Sequence, residues 1–187
     1  MEKLYAYVDE TGQETAGAFF LVAVVVAGEN REALLEWLPS VEQATGKGKT
    51  PWHKSRHAAR EAYMDRVLSE SRLGGSVFYS VYPDTRAYRD LTLLTVAKAL
   101  GERSGGNPYK VTVIIDGLLR NEVHLVSVGL RRLRVPIRKV RGARDESHAL
   151  VRLADAMAGF LRDAEEGQEE WRARFLRAQN QGILRKV

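Results

Sequence analysis

The unbroken apolar run Ala18 to Ala27, Ala-Phe-Phe-Leu-Val-Ala-Val-Val-Val-Ala, constrains the fold more than any other part of the chain. It is rich in β-branched and aromatic residues and has no polar position to turn toward water, so it predicts a central strand buried on both faces. Such a strand needs helices packed above and below it. The run is far too short for a bilayer span, which takes roughly 20 apolar residues.

Other segments fit around that strand. Leu4 to Asp9 alternates Leu4, Ala6 and Val8 with Tyr5, Tyr7 and Asp9, the period of a strand, and stops at an acid before a turn at Thr11-Gly12. The two strands form a hairpin. Lys110 to Asp116 is a second buried strand that ends in an acid, and strands are also expected near Val77 to Val81 and Pro136 to Val140.

Helical spacing predicts helices from Asn30 to Val41, Ser55 to Ser71, Thr85 to Leu100, Leu119 to Leu133, Glu146 to Arg162 and Glu169 to Gln179. The order is therefore β, β, α, α, β, α, β, α, β, α, α. It suits an α/β fold with a mixed sheet of about five strands flanked by helices.

With 187 residues, 44% of them hydrophobic, the chain has the size of one domain. It has no cysteine, which removes disulfides, thiolate zinc sites and a cysteine nucleophile, so any metal must be held by oxygen or imidazole. Met1 to Asp9 reads as structure and not as a secretory signal, and a cytoplasmic location is expected.

The formal net charge is +5. Arg131, Arg132, Arg134, Arg138, Lys139, Arg141 and Arg144 supply seven cations with no acid among them, more than the whole net charge. A second acid-free stretch, Gln43 to Arg60, carries Lys47, Lys49, Lys54, Arg56 and Arg60 beside Trp52, His53 and His57. Both stretches suit a polyanion such as nucleic acid, with Lys54, Arg56, Arg138, Lys139 and Arg141 as the contacts; the alternative is solvated surface.

Asp9 and Asp116 each close an apolar strand before a turn, and side chains at the carboxyl ends of such strands are placed to meet ligands. Asp155 interrupts the apolar run Leu153 to Leu161, where a carboxylate is costly unless paired or bound to a metal. Its small neighbours Ala154, Ala156, Ala158 and Gly159 let the helix approach a sheet closely. Three carboxylates without thiols are hard ligands suited to Mg²⁺ or Mn²⁺, and a pair of such ions can activate water against a phosphodiester.

Glu10, Asp145 and Glu146 are candidate further ligands, although Asp145 and Glu146 also suit a helix N-terminus. His53, His57 and Glu61, four apart, would share a helix face and offer a zinc site. A histidine in a basic loop fits better as a phosphate contact or proton shuttle.

Tyr7-Val8-Asp9-Glu10-Thr11-Gly12, Trp52-His53-Lys54, Val113-Ile114-Ile115-Asp116 and Leu153-Ala154-Asp155-Ala156-Met157-Ala158-Gly159, taken in that order, resemble domain-of-unknown-function family 3800. The resemblance spans nearly the whole chain. It implies a single ribonuclease H-like domain over residues 1–187, with 166–187 a C-terminal helical extension. It also implies Asp9, Asp116 and Asp155 as an acidic centre, with Glu10 beside it and His53 nearby.

Two positions depart from the family. Thr11 stands where Ser is usual, and Arg152 where Gln often precedes Leu-Ala-Asp; an arginine there can pair with one of the acids and weaken metal binding. Together with the acids and the basic segments, the resemblance implies a divalent-metal-dependent nuclease acting on phosphodiesters. The competing expectation is a domain of the same fold that binds nucleic acid without cleaving it.

Trp171, Phe175 and Leu176 raise homo-oligomerisation through the C-terminal helix, and equally suit a core. A nucleotide phosphotransferase is disfavoured by the absence of a Gly-x-x-x-x-Gly-Lys-Ser/Thr loop.

Overall fold

The computed structural model describes residues 1–143 and 148–187. Its strands are β1 (Glu2–Thr11), β2 (Phe19–Ala27), β3 (Val77–Pro83), β4 (Tyr109–Asp116), β5 (Ile137–Ala143) and β6 (Leu184–Lys186), joined in the order β5-β4-β1-β2-β3-β6. The helices are α1 (Arg31–Ala44), α2 (His57–Val67), α3 (Tyr88–Ser104), α4 (Val123–Arg132), α5 (Ala149–Glu165) and α6 (Glu169–Asn180). β2 runs antiparallel to β1 and β3, while β1, β4 and β5 run parallel. The expected element order stands, with a sixth strand added at the sheet edge. Three residues are too few to show a period, so β6 left no pattern in the sequence.

Strand alternation builds two apolar layers from one sheet. Tyr7, Leu21, Ala23, Val25 and Ile114 face α1, α2, α5 and α6, whereas Val8, Val22, Val24, Val113 and Ile115 face α3 and α4. β2 is buried from Phe20 to Ala27, as its composition requires.

β1 does not stop at Asp9. It continues to Thr11 because β2 still pairs with it at Glu10 and Thr11. Its parallel ladder with β4 does stop sooner, at Val8 opposite Ile115. Asp9 and Asp116 therefore occupy the next position of their strands, just past the ladder's end.

At the start of α1, Asn30 occupies the cap position but turns its side chain back to accept from the Gly28 N–H at 3.0 Å. Arg144, Asp145 and Glu146 lie outside the described residues, so the expected further ligands Asp145 and Glu146 and the last cation of the basic segment do too.

The C-terminal segment is part of the body of the fold. Trp171 is fully buried, its ring set edge-on against Trp52 and Phe160, and Phe175 packs edge-on to Tyr79. Of the two readings the sequence leaves open, Trp171 and Phe175 take the core one; of the three residues only Leu176 stands exposed. Among the described residues no helix is long and apolar enough to cross a membrane.

Candidate active site

Sheet parity decides which acids meet. Asp9 shares the face of Tyr7, and Asp116 the face of Ile114, so both carboxylates rise on the α5 side of neighbouring parallel strands. Asp155 projects from α5 above them. The three line one cleft of about 560 Å³ together with Glu10, Trp52, His53, Arg60, Arg162, Asp163 and Glu166.

Asp9 records the crowding. Burial, then the charges of Asp155 and Asp116, push its carboxyl well above the usual carboxylate range, only partly offset by a backbone hydrogen bond from Glu10. A site that holds a buried carboxyl against its neighbours' charge is a site that favours a cation. The donors are all oxygen, so they fit a hard divalent ion.

Glu10 is the immediate neighbour of Asp9 but belongs to the opposite face. Its carboxylate accepts from the Thr92 hydroxyl on α3 and from the Gln13 amide, and burial raises its pKa against those two bonds. It forms the rim between the acidic cleft and a second cavity of about 470 Å³ on the α3 side.

Asp155 does not stand alone in its apolar helix. Its Oδ2 accepts the backbone N–H of Trp52 at 2.8 Å. Ala154, Ala156 and Ala158 are buried, as a close helix-to-sheet approach requires, but Gly159 makes room for something else. A Cβ there would lie 2.1 Å from the Trp52 indole, so this glycine accommodates a ring and not the sheet.

Arg152, one turn before Asp155, is buried and makes a two-point pair with Glu42 on α1, both bonds at 2.7 Å. Its guanidinium is thus held on two sides by an acid outside the cleft.

His53 sits in a 3₁₀ turn (Trp52–Lys54) on the cleft wall. His57 is elsewhere. It opens α2, with Nε2 2.6 Å from Glu170 and Nδ1 3.4 Å from Glu61, while Arg174 joins Glu61 to Asp65. The expected zinc set of His53, His57 and Glu61 is thus broken up. His57, Glu61 and Glu170 do form the one group of described residues whose ligand atoms all lie within 4.8 Å of one another. The three aspartates share a cleft without closing to that spacing.

Of the basic segments, the register of β5 places two cations. Lys139 and Arg141 lie opposite Thr112 and Ile114, which puts them on the same sheet face as Asp116, and Arg138 sits at a register shift in β5. All three are exposed, as are Lys54 and Arg56. Arg141 lies close enough to help hold His148, at the start of α5, down to a pKa of about 4, where burial is the larger cause.

Sequence reading missed Arg162, Asp163 and Glu166. A signal was there: Asp155, Gly159, Arg162, Asp163 and Glu166 fall at helical spacing beside the apolar stripe of Leu150, Leu153, Met157 and Leu161.

No family model and no curated protein matches this chain. Solved structures do. Ribonuclease H2 from Pyrococcus horikoshii OT3 superposes with a TM-score of 0.55 at 18% identity, over 88% of this chain and 74% of that one. A chain of the PCNA:RNase HII complex from Archaeoglobus fulgidus gives 0.53 at 16%, over 92% and 78%. A mutant of Bst-RNase HIII gives 0.50 at 15%, over 89% and 54%. The fold is ribonuclease H-like.

Proposed function

We propose that this protein is a divalent-metal-dependent nuclease of ribonuclease H-like fold, related to domain-of-unknown-function family 3800 and acting in the cytoplasm. The observation that carries the reading is the meeting of Asp9, Asp116 and Asp155, 107 and 39 residues apart in the chain, in one cleft that His53 and Arg60 of a basic segment also line. Likeness at 15–18% identity supports the fold, and fold alone does not fix activity.

Asp9, Asp116 and Asp155 would hold Mg²⁺ or Mn²⁺. When bound, such a cation activates water and stabilises the leaving oxygen of a phosphodiester. The chain supplies the rest. Lys54, Arg56, Arg138, Lys139 and Arg141 draw in the sugar-phosphate backbone whatever its bases, because each phosphate they neutralise releases a counterion. His53, exposed on the cleft wall, is placed to hold or pass a proton at the phosphate or the leaving group. Glu10, at the rim, orients water or a strand.

The test is a cleavage assay on single-stranded, duplex and hybrid substrates with Mg²⁺, Mn²⁺ or EDTA, run beside binding measurements. Metal-dependent cleavage of any of them is expected. Protein that binds nucleic acid with salt dependence yet cleaves nothing in either metal would replace the nuclease with a binding domain of the same fold.

A further inference from the structure

Trp52 is bonded in two directions. Its backbone N–H donates to Asp155 Oδ2 and its indole Nε1–H donates to Asp163 Oδ2, each at 2.8 Å, so one residue ties together two acids eight positions apart on α5. Gly159 stands midway between those acids and leaves the gap into which the indole fits. Asp163 also accepts from Arg60 Nη1 at 3.1 Å. The Arg60 guanidinium in turn lies 5.2 Å from the Trp52 ring and 5.8 Å from the Trp171 ring.

We infer that Trp52, Asp163 and Arg60 form a clamp that positions Asp155 as a metal ligand, an inference that rests on the nuclease reading of the cleft. A carboxylate on a helix swings about two torsions, and binding a cation through it costs the freedom it must give up. A fixed N–H on one oxygen removes much of that freedom beforehand. The Trp52 N–H is fixed only if the loop carrying it is fixed, and the indole bond to Asp163 does this. Arg60 donates to that same Asp163 oxygen and holds it in place. Trp52, Asp163 and Arg60 are positioning residues, and the same turn sets His53 on the cleft wall.

The clamp is tested by titrating Mn²⁺ into the whole chain, following free Mn²⁺ by electron paramagnetic resonance, with thermal melts alongside. Asp163→Ala removes the indole's acceptor and should weaken Mn²⁺ binding about tenfold or more, the size typical of losing a partner that orients a metal ligand. Asp163→Asn keeps a carbonyl for the indole and should recover most of the affinity. Trp52→Phe, which retains a ring and the backbone N–H but loses the anchor, should fall with Asp163→Ala, and it carries the test if that variant does not fold. Wild-type affinity in folded Asp163→Ala or Trp52→Phe would overturn the clamp and leave the metal centre standing. Asp163→Asn as weak as Asp163→Ala would overturn the role of the indole. A wild-type protein that binds no Mn²⁺ would sink the metal reading and the clamp together.

Discussion

Asp9 and Glu10 are adjacent in β1 and lie in different chemical surroundings. Asp9 faces α5 in the cleft, where the charges of Asp155 and Asp116 lie close and raise its pKa. Glu10 faces α3, where a threonine hydroxyl and a glutamine amide already satisfy it. The same backbone thus carries a crowded acidic face and a packing face. The difference teaches that charge alone does not mark a site: what counts is whether the fold supplies a carboxylate with hydrogen-bond donors or with other carboxylates.

Breaking the α5 face should have the largest effect. Asp116→Asn keeps the shape of a residue whose backbone is fixed at the end of β4 but removes the charge that holds the cation. Cleavage should drop on the order of a thousandfold or more, since the lost charge stabilisation is worth several kcal/mol in the transition state. Nucleic-acid binding and the melting temperature should hold. An active Asp116→Asn enzyme would remove this residue from the mechanism.

Asp9→Asn should reveal the same crowding as stability. Because the fold raises the carboxyl's pKa, folded protein keeps a proton that unfolded chain gives up, so stability falls as pH rises from the unfolded toward the folded pKa and stays lower above it. At neutral pH without metal, Asn should therefore stabilise the protein, with the gain vanishing below the unfolded pKa. Denaturant melts at several pH values will check it; a gain independent of pH would mean that the benefit is not electrostatic.

Replacing Arg138, Lys139 and Arg141 together with Ala sharpens the comparison from the side of the ligand. Each lost phosphate contact should flatten the slope of log affinity against log salt by about 0.9 for a duplex. An unchanged slope would return these cations to solvated surface.

The smallest effect is expected on the α3 face. Glu10→Gln can still accept from one of Thr92 and Gln13 but must donate to the other, and should lower cleavage by less than about tenfold, the range of one assisting polar group at the rim. A loss as deep as that of Asp116→Asn would show that Glu10 belongs with the three aspartates after all.

Much of this was legible in the chain. The apolar run of β2 and the shorter one of β4 follow from composition, because a strand covered on both faces leaves no polar position to read. Asp155 stood out because an acid inside an apolar helix demands a reason. The stripe from Asp155 to Glu166 was present too, but it resembles any amphipathic helix until its polar side is seen to border a cleft. Trp171 could equally be core or interface, since burial of an aromatic by its own chain or by another leaves the same sequence.

The sequence by itself determined the order of elements, the absence of thiol ligands and the three aspartates at strand ends and in an apolar helix. These depend on local spacing and residue chemistry. Only the tertiary structure decided that Arg152 is held by Glu42, that Gly159 makes room for an indole, and that Asp163 anchors Trp52 beside Asp155. Those pairings join residues about a hundred positions apart, and no periodicity of one segment encodes which distant side chain the packing of the sheet and its helices will bring against it.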